Sequence, residues 1–237
     1  MSEKNSNIPH HVAIIPDGNR RWAVAHGMKP WEGHEEGAKT IEKLVRKAFD
    51  LGIRQLSFWG SSLENLKKRP LQEKRALLRI YEEYFQKLME SEDIHQNQAR
   101  INIIGRWEEQ FPEKLKTILR DGIEKTKHYK NYALNFFLAY NGDDEMLEAV
   151  SQIVKKADQY QKITASVIKE NLMTRELAPV DYLIRTGGEP HLSAGFMMWD
   201  IANSQLYFSE KLFPDFGAAD LEKAIEDYRQ RGKRRGK

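Results

Sequence analysis

The sequence predicts an α/β fold: a single domain with a central, mostly parallel six-stranded sheet flanked by helices. Three observations predict it. Apolar strand-like runs alternate with helix-period segments along the chain. No internal repeat, low-complexity tract or Pro/Gly/Ser-rich linker divides it, so positions 1–237 read as one unit, with about 1–10 and 232–237 expected as flexible ends. Polar, glycine-rich turns follow the strand-like runs, and ligands collect at the carboxyl ends of strands in such sheets.

His11–Ile15 reads as the first strand. In Glu36–Leu51, residues Ala38, Ile41, Leu44, Val45, Ala48 and Leu51 share one helical face, and Gly52 suits the C′ position. Gln55–Trp59 is the second strand. Gln72–Met89 is a long helix after Pro70, with Ala76, Leu77, Ile80, Tyr84 and Leu88 as its stripe. Arg100–Ile104 is the third strand, and Glu113–Lys127 a helix opened by Pro112. Ala133–Tyr140 is a strongly apolar fourth strand. Helices follow at Asp143–Ala157 and Ala165–Leu172. Val180–Arg185 and Gln205–Phe208 complete the strands, and Ala219–Gln230 is the last helix.

Bulk properties exclude several classes. Hydrophobic residues are 40% and charged residues 31%, a balance that builds a buried core in a globular protein. No apolar run approaches the ~18 residues of a membrane span, and the first residues lack a secretory apolar segment. The chain has 0 cysteines, which removes disulfides, thiolate catalysis and Cys-ligated metals. A cytoplasmic location fits best. The net charge of +3 is too small an excess for a nucleic-acid partner. The basic tail Arg229 to Lys237 reads as a solvated end or as a contact for an anionic membrane surface or a diphosphate.

The expected strand ends hold Pro16-Asp17-Gly18-Asn19, Gly60-Ser61-Ser62, Tyr140-Asn141-Gly142 and Arg185-Thr186-Gly187-Gly188, so these residues converge on one edge. A helix starting at Gly18-Asn19 offers free N–H groups and a positive dipole end to an anion. Arg20 and Arg21 add charge suited to phosphate oxygens. Asp17 would repel that anion unless a cation sits between, and Mg²⁺ held by one carboxylate and phosphate oxygens resolves the conflict. The alternative is an Asp-Gly turn with surface arginines. Arg185 to Phe196 forms a second candidate anion nest, with His191 and Ser193, or an ordinary loop. Ser62, Glu64, Asn65 and Arg69 lie in a third segment, which also reads as a helix-capping loop. His34 reads as a site residue or a helix cap. Asp143-Asp144-Glu145 reads as the dipole partner of a helix start rather than a metal cluster.

Together these stretches resemble the cis-prenyltransferases, the family of undecaprenyl diphosphate synthase. The matching segments are "HVAIIPDGNRRWA", "GHEEGA", "SLENLKKRP", "NFFLAYNG", "LAPVDYLIRTGGE" and "LYFSEKLFPDF", in the family's order from His11 to the last helix. The resemblance implies the family's fold and a Mg²⁺-dependent condensation of isopentenyl diphosphate with an allylic prenyl diphosphate, farnesyl or geranyl, to give a cis-polyprenyl diphosphate of undecaprenyl type. It implies Asp17 as the metal-associated catalytic carboxylate and Asn65 as the proton-handling residue. Gly18, Asn19, Arg20, Arg21, Trp22 and His34 would contact the allylic substrate. Ser62, Leu63, Glu64, Leu66 and Arg69 lie in the matching loop, and Arg185, His191, Leu192 and Ser193 match the isopentenyl diphosphate site. A homodimer, with peripheral membrane contact, is also implied.

The pattern departs from the family at Pro30, at Leu66 and the extra residue before Arg69, at His191 and the extra residue after it, and at Gln205. The family has a glutamate at Gln205, supplied by the partner subunit as a metal ligand. The tail also lacks the usual phenylalanine. These departures leave two alternatives open: a synthase of short or irregular products, and a non-catalytic subunit of a heteromeric enzyme. Apolar faces of the second and fourth expected elements, over Leu134–Leu138, are expected to line a product tunnel, with Tyr132 as a candidate plug.

Overall fold

The computed structural model describes residues 7–231; the expected flexible ends at 1–6 and 232–237, with the end of the basic tail, lie outside the described residues. Asn7 to His10, expected among the flexible ends, are tied down. Asn7 Nδ2 donates to the Arg229 carbonyl (3.1 Å), Ile8 packs on the core, and the His10 amide donates to Asp181 Oδ2 (2.8 Å).

Strand β1 (His11–Ile15) is buried at every position. Continuous burial marks a strand covered on both faces. Val12 and Ile14 enter one core and Ala13 and Ile15 the other, as a period of two requires. Chain order then runs α1 (Asn19–Ala25), α2 (Glu32–Leu51), β2 (Gln55–Trp59), α3 (Leu63–Lys68), α4 (Leu71–Met89), α5 (Glu92–Gln96), β3 (Ala99–Ile104), α6 (Trp107–Gln110), α7 (Glu113–Thr126) and β4 (Tyr132–Phe137). After these come α8 (Gly142–Lys155), α9 (Ala165–Asn171), β5 (Tyr182–Arg185), β6 (Gln205–Phe208) and α10 (Ala218–Arg231). The six-stranded sheet has the order β3-β4-β2-β1-β5-β6, and every pairing is parallel.

This order fixes where a ligand can bind. From β1 the chain adds β2, then the edge strand β3, then β4 between β2 and β3. It then crosses back to place β5 on the other side of β1. The carboxyl ends of β1 and β5 therefore flank the topological switch point, where connecting segments diverge and leave a crevice.

Several boundaries differ from the sequence expectation. α2 starts at Glu32, before the expected Glu36, because Gly33 and Gly37 let it press against Asn19. β4 ends at Phe137, not Tyr140. Ala139 takes a left-handed φ of 53°, which turns Tyr140 beneath the sheet, where its hydroxyl donates to Glu145 Oε2 (2.5 Å). β5 starts at Tyr182, because the Val180 and Asp181 amides donate to the Asp200 and His11 carbonyls. The acidic run 143–145 opens α8, as expected. Asp144 receives Arg106, and buried Glu145 accepts from Tyr140 and from the Thr174 amide.

His11 is fully buried. A carbonyl can only accept, so Nδ1–H donates to Ala178 O (2.8 Å) and Nε2 accepts from Ser57 Oγ (2.7 Å). Burial lowers the His11 pKa to about 4, against a smaller opposing contribution from the Ala178 carbonyl. The unfolded chain takes up this proton below the ordinary 6.5. Stability from neutral His11 is thus complete above pH 6.5 and lost as pH falls toward about 4, roughly 3 kcal/mol in all. Denaturant titrations at pH 7 and pH 4.5 should show His11→Gln losing about 2 kcal/mol less than the wild type between the two. Equal losses would assign the acid sensitivity to other groups.

Candidate active site

A cleft of about 830 Å³ opens over the carboxyl ends of β1, β2 and β5. Its floor is set by the turn after β1. Pro16 interrupts the strand, the Asp17 amide donates back to Ile15 O (3.0 Å), and Gly18 adopts φ 106° as the N-cap of α1. Any side chain at Gly18 would meet Leu212 at 2.8–3.0 Å, besides the cost of the left-handed backbone. No side chain caps α1, so its first N–H groups face the cleft without a side-chain acceptor.

Asp17 and Arg185 join across the switch point. Arg185 Nη2 donates to Asp17 Oδ2 (2.8 Å), and Nη1 donates to the His191 carbonyl (2.5 Å). The Arg185 side chain is 5% exposed, and its Nε has no partner among the described residues. Arg21 lies 3.4 Å from Asp17 Oδ1. The Asp17 carbonyl accepts from Thr186 Oγ1 (2.8 Å) and the Phe213 amide (3.0 Å), which locks the turn to both neighbouring segments.

The opposite wall is a second charged group. Arg69 Nη1 donates to Glu73 Oε1 (2.9 Å) and to His34 Nε2 (3.0 Å), and Arg20 lies 3.5 Å from Glu73. Burial, then the positive charges of Arg69 and Arg20, lower the His34 pKa to about 3. His34 is therefore neutral and accepts from Arg69. It is the third residue of α2, not its cap. Ser62 caps α3 by accepting from the Asn65 amide (3.0 Å), which sets Asn65 on the cleft wall.

The fold brings Asp17, Gly18, Asn19, Arg20, Arg21, His34, Ser62, Asn65, Arg69, Arg185 and Ser193 to one cleft. Other expected residues lie elsewhere. Trp22 faces outward, donating to Asp215 Oδ1 (2.8 Å) and stacking on His26. Leu66 is buried in the core and Leu63 packs on it. Glu64 pairs with Lys68 in solvent. His191 contributes its carbonyl, while its exposed ring lies 3.7 Å from Glu189; Leu192 is also exposed. Gln205 pairs with Tyr182 at the starts of β6 and β5, whereas Arg185 pairs with Phe208 at their ends, so within one chain Gln205 lies at the far edge from Asp17. Glu73 was missed. Glu73, in the first turn of α4, lies only four residues after Arg69, and that closeness in sequence was the available signal.

Behind the cleft lies an apolar cavity of about 60 Å³, which shares Pro16, Asn19, His34 and Gly60 with it. α2 contributes Ala38 and Ile41, α4 contributes Leu77, Tyr84 and Phe85, and Phe136 and Leu138 close the sheet side, the faces expected for a product tunnel. Tyr132 does not close it. That ring packs on Phe49 and under Arg54, at the opposite end of β4 from Phe136 and Leu138.

Asp17 is the one carboxylate that lines the cleft, Glu73 being buried behind Arg69, and among the described residues no group of three or more His, Cys, Asp or Glu could cage an ion. This donor set fits Mg²⁺, which keeps waters and is held by one or two carboxylates plus substrate phosphates.

Fold and site define a class: a parallel α/β protein whose switch-point cleft pairs a carboxylate with arginines and a helix N-terminus, opening onto an apolar cavity. The sequence model of a family described as putative undecaprenyl diphosphate synthase matches residues 15–236. A tritrans,polycis-undecaprenyl-diphosphate synthase (geranylgeranyl-diphosphate specific) of Thermococcus kodakarensis is 37% identical over 99% of this chain and 89% of its own length. An isoprenyl transferase of Halalkalibacterium halodurans is 40% identical over 98% of this chain and 90% of its own. The crystal structure of lavandulyl diphosphate synthase from Lavandula x intermedia, in complex with dimethylallyl diphosphate, superposes with a TM-score of 0.88 at 33% identity, over 94% of this chain and 95% of that one. The chain belongs to the cis-prenyltransferase (undecaprenyl diphosphate synthase) family, and it is a prenyl-transferring enzyme.

Proposed function

We propose that the cleft binds isopentenyl diphosphate and an allylic prenyl diphosphate and joins them with a new cis double bond. The observation that supports this most is the Asp17–Arg185 pair at the switch point, flanked by Arg20, Arg21 and the uncapped start of α1. In the reaction the allylic C–O bond breaks and diphosphate leaves with the electron pair. The terminal alkene carbon of isopentenyl diphosphate bonds to the allylic carbon, and a proton passes from that unit to an oxygen of the departed diphosphate as the new double bond forms. Charge accumulates on the leaving diphosphate, so fixed N–H groups and arginines stabilise it where it develops. When bound, Mg²⁺ would add Lewis-acid stabilisation of that diphosphate, held by Asp17. Asn65 lies on the wall where the proton is handled, and Arg185 with Ser193 forms the isopentenyl diphosphate side. Incubation with radiolabelled isopentenyl diphosphate, Mg²⁺ and farnesyl, geranyl or geranylgeranyl diphosphate should give extended products. No extension from any primer would overturn the proposal.

The relatives' names support an undecaprenyl-length product as the first reading. The apolar cavity favours a second, a short product. Its 60 Å³ is well below the roughly 150 Å³ that accommodates benzene, so aromatic side chains fill the space a growing chain would take. Phe85→Ala should lengthen the product distribution by at least one unit if this cavity sets length; an unchanged distribution would place the limit elsewhere.

A homodimer is the proposed assembly. Edge strand β6 exposes Leu206 and Phe208, and α8 exposes Leu147, Val150 and Val154, apolar surface that self-association would cover. No helix among the described residues is long and apolar enough to cross a membrane. A cytoplasmic enzyme with peripheral membrane contact remains the proposed setting, and light scattering on the purified protein should give twice the chain mass.

A further inference from the structure

A second cavity, of about 510 Å³, lies at the opposite end of the sheet, under the amino ends of β1 to β4. The strands put it about 15 Å from the active-site cleft. Three cations line it: Arg54, Arg100 and Lys130. Among the described residues, every arginine forms an ion pair with a carboxylate except Arg54, Arg75 and Arg100, so two of these three share this cavity. The one acid on its wall, Glu176, sits 4.0 Å from Arg175 instead.

Both arginines are held in place. Arg54 donates from Nη1 to the Asn131 carbonyl (3.3 Å) and lies over the Tyr132 ring, 5.1 Å from its centroid. Arg100 Nε donates to Asn102 Oδ1 (2.9 Å), Asn102 Nδ2 to Asn135 Oδ1 (2.7 Å), and Asn135 Nδ2 to Ser57 Oγ (3.0 Å), which is bonded to His11 (2.7 Å). This polar ladder crosses four strands. It fixes the Arg100 guanidinium and leaves both terminal nitrogens without a partner among the described residues. Two pre-oriented guanidinium groups with unspent donors and a nearby lysine, with a single carboxylate, Glu176, that pairs with neither arginine, form a receptor for phosphate oxygens.

We propose that this cavity is a second anion site, taking a small phosphorylated molecule. The volume suits a metabolite-sized ligand, and Tyr129, Tyr132 and Leu177 supply apolar contact for its body. The site does not depend on the catalytic reading, because none of its residues touches the active-site cleft.

Equilibrium dialysis with radiolabelled inorganic pyrophosphate tests it. The wild type should show two classes of site. In Arg54→Gln/Arg100→Gln one class should weaken by about tenfold or more, with the other class and prenyl-transfer turnover unchanged. Lys130→Gln, an exposed side chain whose change spares the fold, should weaken the same class about two- to fivefold. Pyrophosphate binding that the double variant leaves undiminished, whatever the number of classes, would overturn the proposal. If the double variant does not fold, unchanged affinity in Lys130→Gln overturns it.

Discussion

Replacing Asp17 with asparagine is expected to lower turnover about 10²–10³-fold while the protein remains folded. The change keeps the shape and an acceptor oxygen but removes the charge. That charge lies 2.8 Å from Arg185 and 3.4 Å from Arg21, and in the proposed reaction it would also help hold Mg²⁺. Arg185 is 5% exposed, so it loses its counter-ion in a nearly dry setting, at a cost of about 1–3 kcal/mol. The backbone of the turn is unaffected, because the Asp17 carbonyl still receives Thr186 and the Phe213 amide. Steady-state kinetics with a parallel thermal melt separates the two effects. Turnover within about tenfold of wild type would remove Asp17 from the chemistry.

Gly33→Ala should be strongly damaging, and through the anion site. Its Cβ would stand 1.9 Å from the Asn19 carbonyl oxygen, 2.7 Å from that carbonyl carbon and 3.2 Å from Ala23 Cβ. Two of the three are backbone atoms of the first residue of α1, so no rotamer change relieves the clash. α1 must move off α2, carrying Asn19, Arg20 and Arg21 with it. A cost of about 3 kcal/mol or more is expected, with a raised KM for the allylic substrate. Gly52→Ala is the control. Nothing lies within 4 Å of its Cβ, so only its left-handed φ of 77° is charged, about 1–2 kcal/mol, with KM unchanged. Denaturant midpoints and KM values for both variants check this. Equal behaviour would mean that the α1–α2 contact is not what holds the anion site.

Fold class and site location were legible because one periodicity carries both. β1, β2 and β6 alternate or bury along their whole lengths, and their bounds follow from sequence. The 16–19 and 185–188 turns lie at strand ends that a parallel sheet must gather. α3, α5 and α6 were not legible, since four to six residues are too few to show a 3.6 period. Within the site, Arg185 was found because it ends β5 and Asp17 because it lies in the turn after β1. Trp22 and Leu66 were assigned to the cleft by motif, yet each sits on a helix face turned away from it, toward Asp215 and the core respectively. Gln205 starts its strand, so parallel pairing alone places it at the far edge. Glu73 escaped notice because its importance lies in burial beneath Arg69, which spacing hints at but only packing reveals.

The geometry of the first new double bond tests the central claim most directly. A single condensation of ¹³C-labelled isopentenyl diphosphate with an allylic primer, followed by NMR of the isolated product, reports it. A cis double bond is expected, formed by the wild type and about 10²–10³-fold more slowly by Asp17→Asn. A trans double bond, or condensation that survives the loss of Asp17 undiminished, would contradict it.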